Sequence, residues 1–271
     1  MKFEKTVGHK KQKELFAKAM ENGHLSHAYA LAGEENIGKT TFALDLAKIL
    51  KADTVLDTFV FDAEAGFSVE QARELQRVFS LSSAGQHKVA VVCRAEALSS
   101  EAANCLLKIL EEPPKNSLFI FTTSNFQALL PTLASRVQRI NFSRLADEEV
   151  RLALKTDRVS PQRLEEIVEL AAGRIGFAKS LASADGVFAF YLELAWYYQV
   201  FEIGTVAERL LAAEKVAALE TPQIREFLKF AARVWVRKGA PAGLGKKLSA
   251  ALRDMDFNLN SRLSLDNLFL V

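Results

Sequence analysis

Residues 33–40 read Gly-Glu-Glu-Asn-Ile-Gly-Lys-Thr, a G-x-x-x-x-G-K-[ST] spacing without a mismatch. The segment lies between an apolar run, Ala28–Ala32, and a helical pattern, Thr41–Leu50, that sets Leu44, Ala47 and Leu50 on one face. A strand that enters a glycine-bearing turn and leaves it as a helix is the setting in which this spacing has chemical meaning. The glycines let the backbone curl until its N–H groups face phosphate oxygens, and the helix adds the positive end of its dipole. Lys39 then reaches the outer phosphates, and the Thr40 hydroxyl is available to magnesium. Gly33, Asn36, Gly38 and Thr41 complete the expected nucleotide-binding set. The plainer alternative is a glycine turn that binds nothing. Glu34 and Glu35, beside the phosphate position, oppose an anion.

The rest of the first half repeats the same alternation. Thr58–Phe61, Lys88–Cys93, Ser117–Thr122 and Gln138–Phe142 read as further strands, with helices over Ser68–Ser80 and Ser99–Leu110 and a stop at Pro113-Pro114. Strand and helix in alternation predict a parallel sheet covered on both faces, and strands without in/out alternation agree. Beyond Phe142 no strand is evident. Helices are expected over Asp147–Leu154, Pro161–Ala172, Gly176–Ser183, 187–220, 221–238 and Lys246–Met255. The tail from Asn258 carries Leu259, Leu263, Leu265, Leu268 and Leu270 and is expected to pack.

A phosphate-loop ATPase needs acids at the end of a later strand. One holds magnesium, and a neighbour orients the attacking water. The strand Lys88–Cys93 is followed by Arg94, so Cys93 and Arg94 occupy those two positions. A thiol is a poor ligand for a hard cation, and a guanidinium cannot accept a proton. Glu96 is the nearest acid and is expected to face solvent at a helix start. The expectation is a chain that binds nucleotide yet hydrolyses it poorly.

Composition narrows the class. In 271 residues, 35 Lys+Arg face 33 Asp+Glu for a net charge of +2, which argues against a general phosphate-gripping surface but not against a local one. Two cysteines and four histidines make a structural zinc site unexpected and suit a reducing compartment, so the chain is read as cytoplasmic. The first eight residues hold no apolar run, and no apolar stretch is long enough to span a bilayer.

Several segments resemble bacterial clamp-loader subunits, which are AAA+ proteins. Val7-Gly-His-Lys and His24–Gly33 are similar to the family's opening. Ser100-Glu-Ala-Ala-Asn-Cys-Leu-Leu-Lys-Ile-Leu-Glu-Glu-Pro113 resembles the helix after its acidic strand. Leu129–Val137 resembles its Ser-Arg-Cys segment, with Val137 in place of Cys. The segment Leu259-Asn-Ser-Arg-Leu-Ser-Leu is similar to the end of the delta-prime type of subunit. The resemblance is strong over the first 145 residues and weak beyond.

It implies an AAA+ domain over 1–143, a small helical lid over 144–185 and an all-α collar over 186–271. It implies ATP or ADP with Mg2+ at a degenerate site. The four-cysteine zinc module of many members is missing here, so no zinc is expected. The implied partners are gamma/tau and delta subunits, with the sliding clamp and primer-template DNA met indirectly. Arg136, with Ser135, would act as an arginine finger on a neighbour's nucleotide. The plainer alternative is an Arg136 paired with a local carboxylate. Thr122 and Thr123 stand where a γ-phosphate sensor is expected. In Gly173-Arg-Ile-Gly176-Phe-Ala, Gly176 falls where motor subunits carry a second sensor arginine, and Arg174 is two residues away. The lost acids and retained Ser-Arg pair favour the delta-prime type over a gamma/tau-type motor. An enzyme acting without partners, such as a small-molecule kinase, is the reading from another class.

Arg225, Lys229, Arg233 and Arg237 recur every four residues opposite Phe227-Leu228, Ala231 and Trp235. The stripe reads as the solvated face of an amphipathic helix, or as a subunit or DNA contact. Cys105 is expected as a buried helix residue.

Overall fold

The computed structural model describes residues 2–50, 57–81, 87–155, 159–238 and 246–251, with 253 and 268 individually. Residues 1–183 form one compact unit and 184–271 a second.

The first unit opens with α1 (Lys10–Glu21), β1 (Ala28–Ala32), α2 (Lys39–Ile49) and β2 (Thr58–Asp62). It continues with α3 (Val69–Ser80), β3 (Lys88–Cys93), α4 (Ser100–Glu111), β4 (Ser117–Thr123), the short α5 (Pro131–Ala134) and β5 (Gln138–Asn141). The strands pair in the order β2-β3-β4-β1-β5, and every pairing is parallel. β1 is wholly buried between β4 and β5, so the loop that follows it leaves the carboxyl edge of the sheet, where open parallel sheets hold their ligands.

Two cores flank the sheet. Val89, Val91, Leu118 and Ile120 point to the side of α1 and α2, with Phe16, Phe42 and Leu46. Ala90, Val92, Phe119 and Phe121 point to the side of α3 and α4, with Leu75, Phe79, Leu106 and Leu110. Neighbouring residues on one inner strand enter opposite cores, which is why the inner strands are mostly apolar. Cys105, expected to be buried, is only partly so.

Three helices complete this unit: α6 (Asp147–Leu154), α7 (Pro161–Ala171) and α8 (Ile175–Ser183). They pack through Val150, Ile167, Val168, Ala178 and Leu181. The second unit contains α9 (Asp185–Ile203), α10 (Val206–Ala217) and α11 (Thr221–Lys238), and 246–251 is also helical. Leu194, Tyr197, Ala213, Val216, Phe227 and Ala231 are among its buried residues.

The single helix expected over 187–220 is therefore two. Thr205 is the reason: its hydroxyl accepts from the Glu208 N–H while the Glu208 carboxylate accepts from the Thr205 N–H. This reciprocal box starts a new helix right after Gly204. In the charged stripe, Arg233 pairs with Glu226, which also accepts the Tyr191 hydroxyl. The Arg237 and Trp235 side chains and the leucines of the tail other than Leu268 lie outside the described residues. No helix among the described residues is long and apolar enough to cross a membrane.

Candidate functional site

The loop of residues 33–40 is held from several directions. Gly33 N–H donates to Thr123 O on β4. The Gly33 backbone comes so close to β5 that a Cβ there would lie 2.4 Å from Phe142 O. The Lys39 ammonium donates to the Gly33 and Glu34 carbonyls. Burial pulls Lys39 below its ordinary pKa range, while Glu96, then Glu35 and Glu34, pull the other way. His9, buried before α1, donates from Nε2 to Ile37 O at 2.8 Å and packs its ring on Phe142. Arg144 grips the Glu34 carboxylate through Nε and Nη2 at 2.7–3.0 Å. Of the two acids beside the expected phosphate position, Glu34 is thus already paired with a residue of this chain.

Gly176 also meets the loop. Its N–H donates to Asn36 O at 2.7 Å, and a Cβ on it would lie 2.9 Å from that oxygen. Only a residue without a side chain fits this approach. Arg174 does not turn to the loop. It is buried, donates to Leu170 and Ala171 carbonyls at the end of α7, and lies over the Phe177 ring. Lys5, Thr6, Val7, Gly38, Thr41, Ile175, Gly176 and Lys179 line a cavity of about 30 Å³ beside the loop. Ligand pockets are about tenfold larger, from roughly 300 Å³ upward.

The acid corner has been rebuilt from other groups. Thr40 Oγ1 lies 3.5 Å from Cys93 Sγ. Arg94 holds a left-handed backbone at φ 53° and turns to β2, bonding Asp62 through Nε at 2.8 Å and ion-pairing with Asp62 and Glu64. That guanidinium holds the Asp62 carboxyl below the usual carboxylate range. Thr122 and Thr123 are both buried. The Thr122 hydroxyl accepts from Arg94 N–H, and the Thr123 hydroxyl from Asn125 N–H.

Glu96 departs from expectation. A one-turn 3-10 helix, Ala95–Ala97, folds it inward, where its carboxylate accepts from both the N–H and the hydroxyl of Ser124. Burial pushes its carboxyl up, and hydrogen bonds from Ser124, its own backbone and Thr123 together outweigh that, for a net shift down. Ser124 was not singled out by sequence; its only signal is that it extends the polar run Thr122-Thr123 at the end of β4.

These residues fit phosphate better than they fit a magnesium ion. Lys39 stands at the loop with its ammonium on the Gly33 and Glu34 carbonyls, whereas the hydroxyl expected to serve a metal faces a thiol.

Arg136 lies just beyond α5. Its Nη2 pairs with Glu111 at 2.5 Å, and its Nη1 donates to Thr132 O at 3.0 Å and to Ser135 Oγ at 3.2 Å. The plainer alternative raised from sequence, a local carboxylate partner, is therefore realised in the isolated chain.

Residues 55–146 match the family described as "DNA polymerase III, delta subunit". The DNA polymerase III subunit gamma/tau of Mycoplasma pneumoniae is 29% identical over 206 residues, 66% of this chain and 30% of that protein. The tau subunit of Escherichia coli is 29% identical over 216 residues, 68% of this chain and 34% of that protein. These matches are likenesses to DNA polymerase III subunits, the family model over 92 of the 271 residues. The chain spans about a third of the length of these curated relatives. Among solved structures, a gamma subunit-related DNA polymerase III protein of Thermotoga maritima superposes with a TM-score of 0.62 at 19% identity, over 95% of this chain and 97% of that one. Thermotoga maritima RuvB, a Holliday junction branch migration motor, superposes with a TM-score of 0.56 at 17% identity, over 98% and 92%. At such identities these two speak for the fold alone.

Against the clamp-loader pattern, the structure brings Gly33, Asn36, Gly38, Lys39, Thr40, Cys93, Glu96 and Gly176 around one loop. Arg94 and Arg174 point elsewhere, and Arg136 belongs to a separate patch with Glu111.

Proposed function

We propose that the chain is a delta-prime-like subunit of a replicative clamp loader. In this reading it is a largely non-hydrolysing structural member that presents Arg136, with Ser135, to the nucleotide of a neighbouring ATPase subunit during loading of the sliding clamp. The observation that carries the reading is the acid corner: Thr40 rests against the Cys93 thiol, and Arg94 is bound to Asp62 and Glu64. The thiol is a poor ligand for a hard cation, and the guanidinium cannot accept a proton from water. A fixed guanidinium at a neighbour's γ-phosphate would stabilise the charge that develops there, an effect worth roughly 10³–10⁵ in rate for arginine fingers.

The partners in this reading are gamma/tau and delta subunits, with clamp and primer-template DNA met through the assembly in the cytoplasm. Residues 1–143 serve as the AAA+ domain, 144–185 as its lid and 186–271 as a collar. Any ATP or ADP would sit at a degenerate site, without zinc.

A second reading, a gamma/tau-type motor, is favoured by the intact loop, by the names of the curated relatives and by Glu96 near Lys39. Steady-state ATPase of the purified chain separates the two. The expected rate is at background and unchanged by Lys39→Ala. Sustained turnover that Lys39→Ala abolishes would establish the motor instead.

A further inference from the structure

We infer that Glu111 is a positioning residue for Arg136, holding the guanidinium in a fixed orientation before a neighbour's phosphate reaches it. The inference rests on the trans-acting reading of Arg136 above and assigns that site a second residue.

The geometry begins with two rigid supports. Glu111 is the last residue of α4, which Pro113-Pro114 prevents from continuing. Arg136 follows α5, whose Leu133 is buried in the same core as Leu106 and Leu110 of α4. Ala134 and Val137, on either side of the Ser-Arg pair, pack against that core as well. Both side chains therefore start from backbone that packing has fixed.

The charges then close the gap. A carboxylate at a helix C-terminus meets the negative end of the dipole and is unfavourable there unless a cation joins it. Arg136 is that cation, with Nη2 at 2.5 Å from Glu111 Oε1. A guanidinium carries five N–H donors in a planar fork. Three of them are directed to Glu111, Thr132 O and Ser135 Oγ. The anchors fix the plane of the fork, and the Nε–H and the second Nη2–H remain to meet an incoming oxyanion. The side-chain exposures of 33% for Arg136 and 51% for Glu111 keep the pair at the surface. An ion pair so exposed adds little to folding stability. Its effect lies in orientation: a free arginine carries many rotamers, and fixing them in advance raises the fraction ready to act.

The test is ATPase turnover of the clamp-loader complex reconstituted from its subunits, with wild-type chain, Arg136→Ala, Glu111→Ala, Glu111→Gln and the Glu111→Ala/Arg136→Ala double variant. Gel filtration confirms assembly in each case. If Glu111 positions Arg136, Glu111→Ala lowers kcat by roughly tenfold with KM for ATP nearly unchanged. Glu111→Gln, which keeps an oxygen acceptor, recovers most of that loss. The double variant is no slower than Arg136→Ala alone. A Glu111→Ala rate equal to or above wild type, while Arg136→Ala is slow, overturns the positioning role and leaves the Arg136 reading standing. A double variant slower than Arg136→Ala overturns it too, because Glu111 would then act by another route. An unchanged rate in Arg136→Ala removes the trans-acting reading itself.

Discussion

His9 ties a titration to the phosphate loop. Its Nε2–H supports Ile37 O inside the loop, and desolvation, followed by the nearby charge of Lys13, lowers its pKa against the opposing pull of the Ile37 carbonyl. A histidine whose folded pKa lies below its unfolded one binds fewer protons when folded. Its favourable contribution is present above the ordinary value near 6.5 and is lost as pH falls from there toward the lowered one. Wild-type chain is therefore expected to lose more thermal stability between about pH 7 and pH 5 than His9→Gln, which keeps a donor for Ile37 but does not titrate. Parallel melting curves across that range would contradict the assignment. At this scale the sequence was informative where a residue acts through its neighbours in the chain. Lys39 and Thr40 are set by their spacing, and Cys93 and Arg94 by the end of an apolar strand. The inward turn of Glu96 and the pairing of Glu111 escaped because their partners, Ser124 and Arg136, lie 28 and 25 residues away and meet them only through the fold.

Helix α8 sits at the loop through a single glycine. Gly176→Ala would push a methyl group to 2.9 Å from Asn36 O, a backbone atom with little freedom to retreat. We expect a loss of roughly 1–3 kcal/mol, the usual range for an overpacked contact, accompanied by faster amide exchange at Gly176 and across α8. Unchanged exchange there would mean that the hydrogen bond to Asn36 carries no weight. Elements were readable when their pattern was unambiguous. The inner strands β3, β4 and β1 stood out because both faces of each are buried, leaving uninterrupted apolar runs. α1 left no such trace: it is rich in lysine, and Phe16 is its only buried residue. The break between α9 and α10 was hidden because α9 is apolar around most of its circumference, so the run of apolar residues outlasted the helix.

Each of the two units carries its own buried side chains, and among the described residues the two cores that flank the sheet draw on residues up to 142. A fragment ending at Ser183 is therefore expected to melt cooperatively with its far-ultraviolet signal intact. A fragment that remains unfolded would show that residues beyond 183 are needed to fold the sheet. Gly33 adds a consequence at the scale of lineages. The same backbone that would cradle a phosphate is wedged against Phe142, where no side chain fits, and the Lys39 ammonium satisfies the Gly33 and Glu34 carbonyls. Mutation at these positions would injure the sheet edge whether or not a nucleotide ever binds. Purifying selection on packing alone can then preserve the phosphate signature long after catalysis has drifted away. Its survival in a genome would then record architecture, and the acid positions would be the better clock of any loss of hydrolysis.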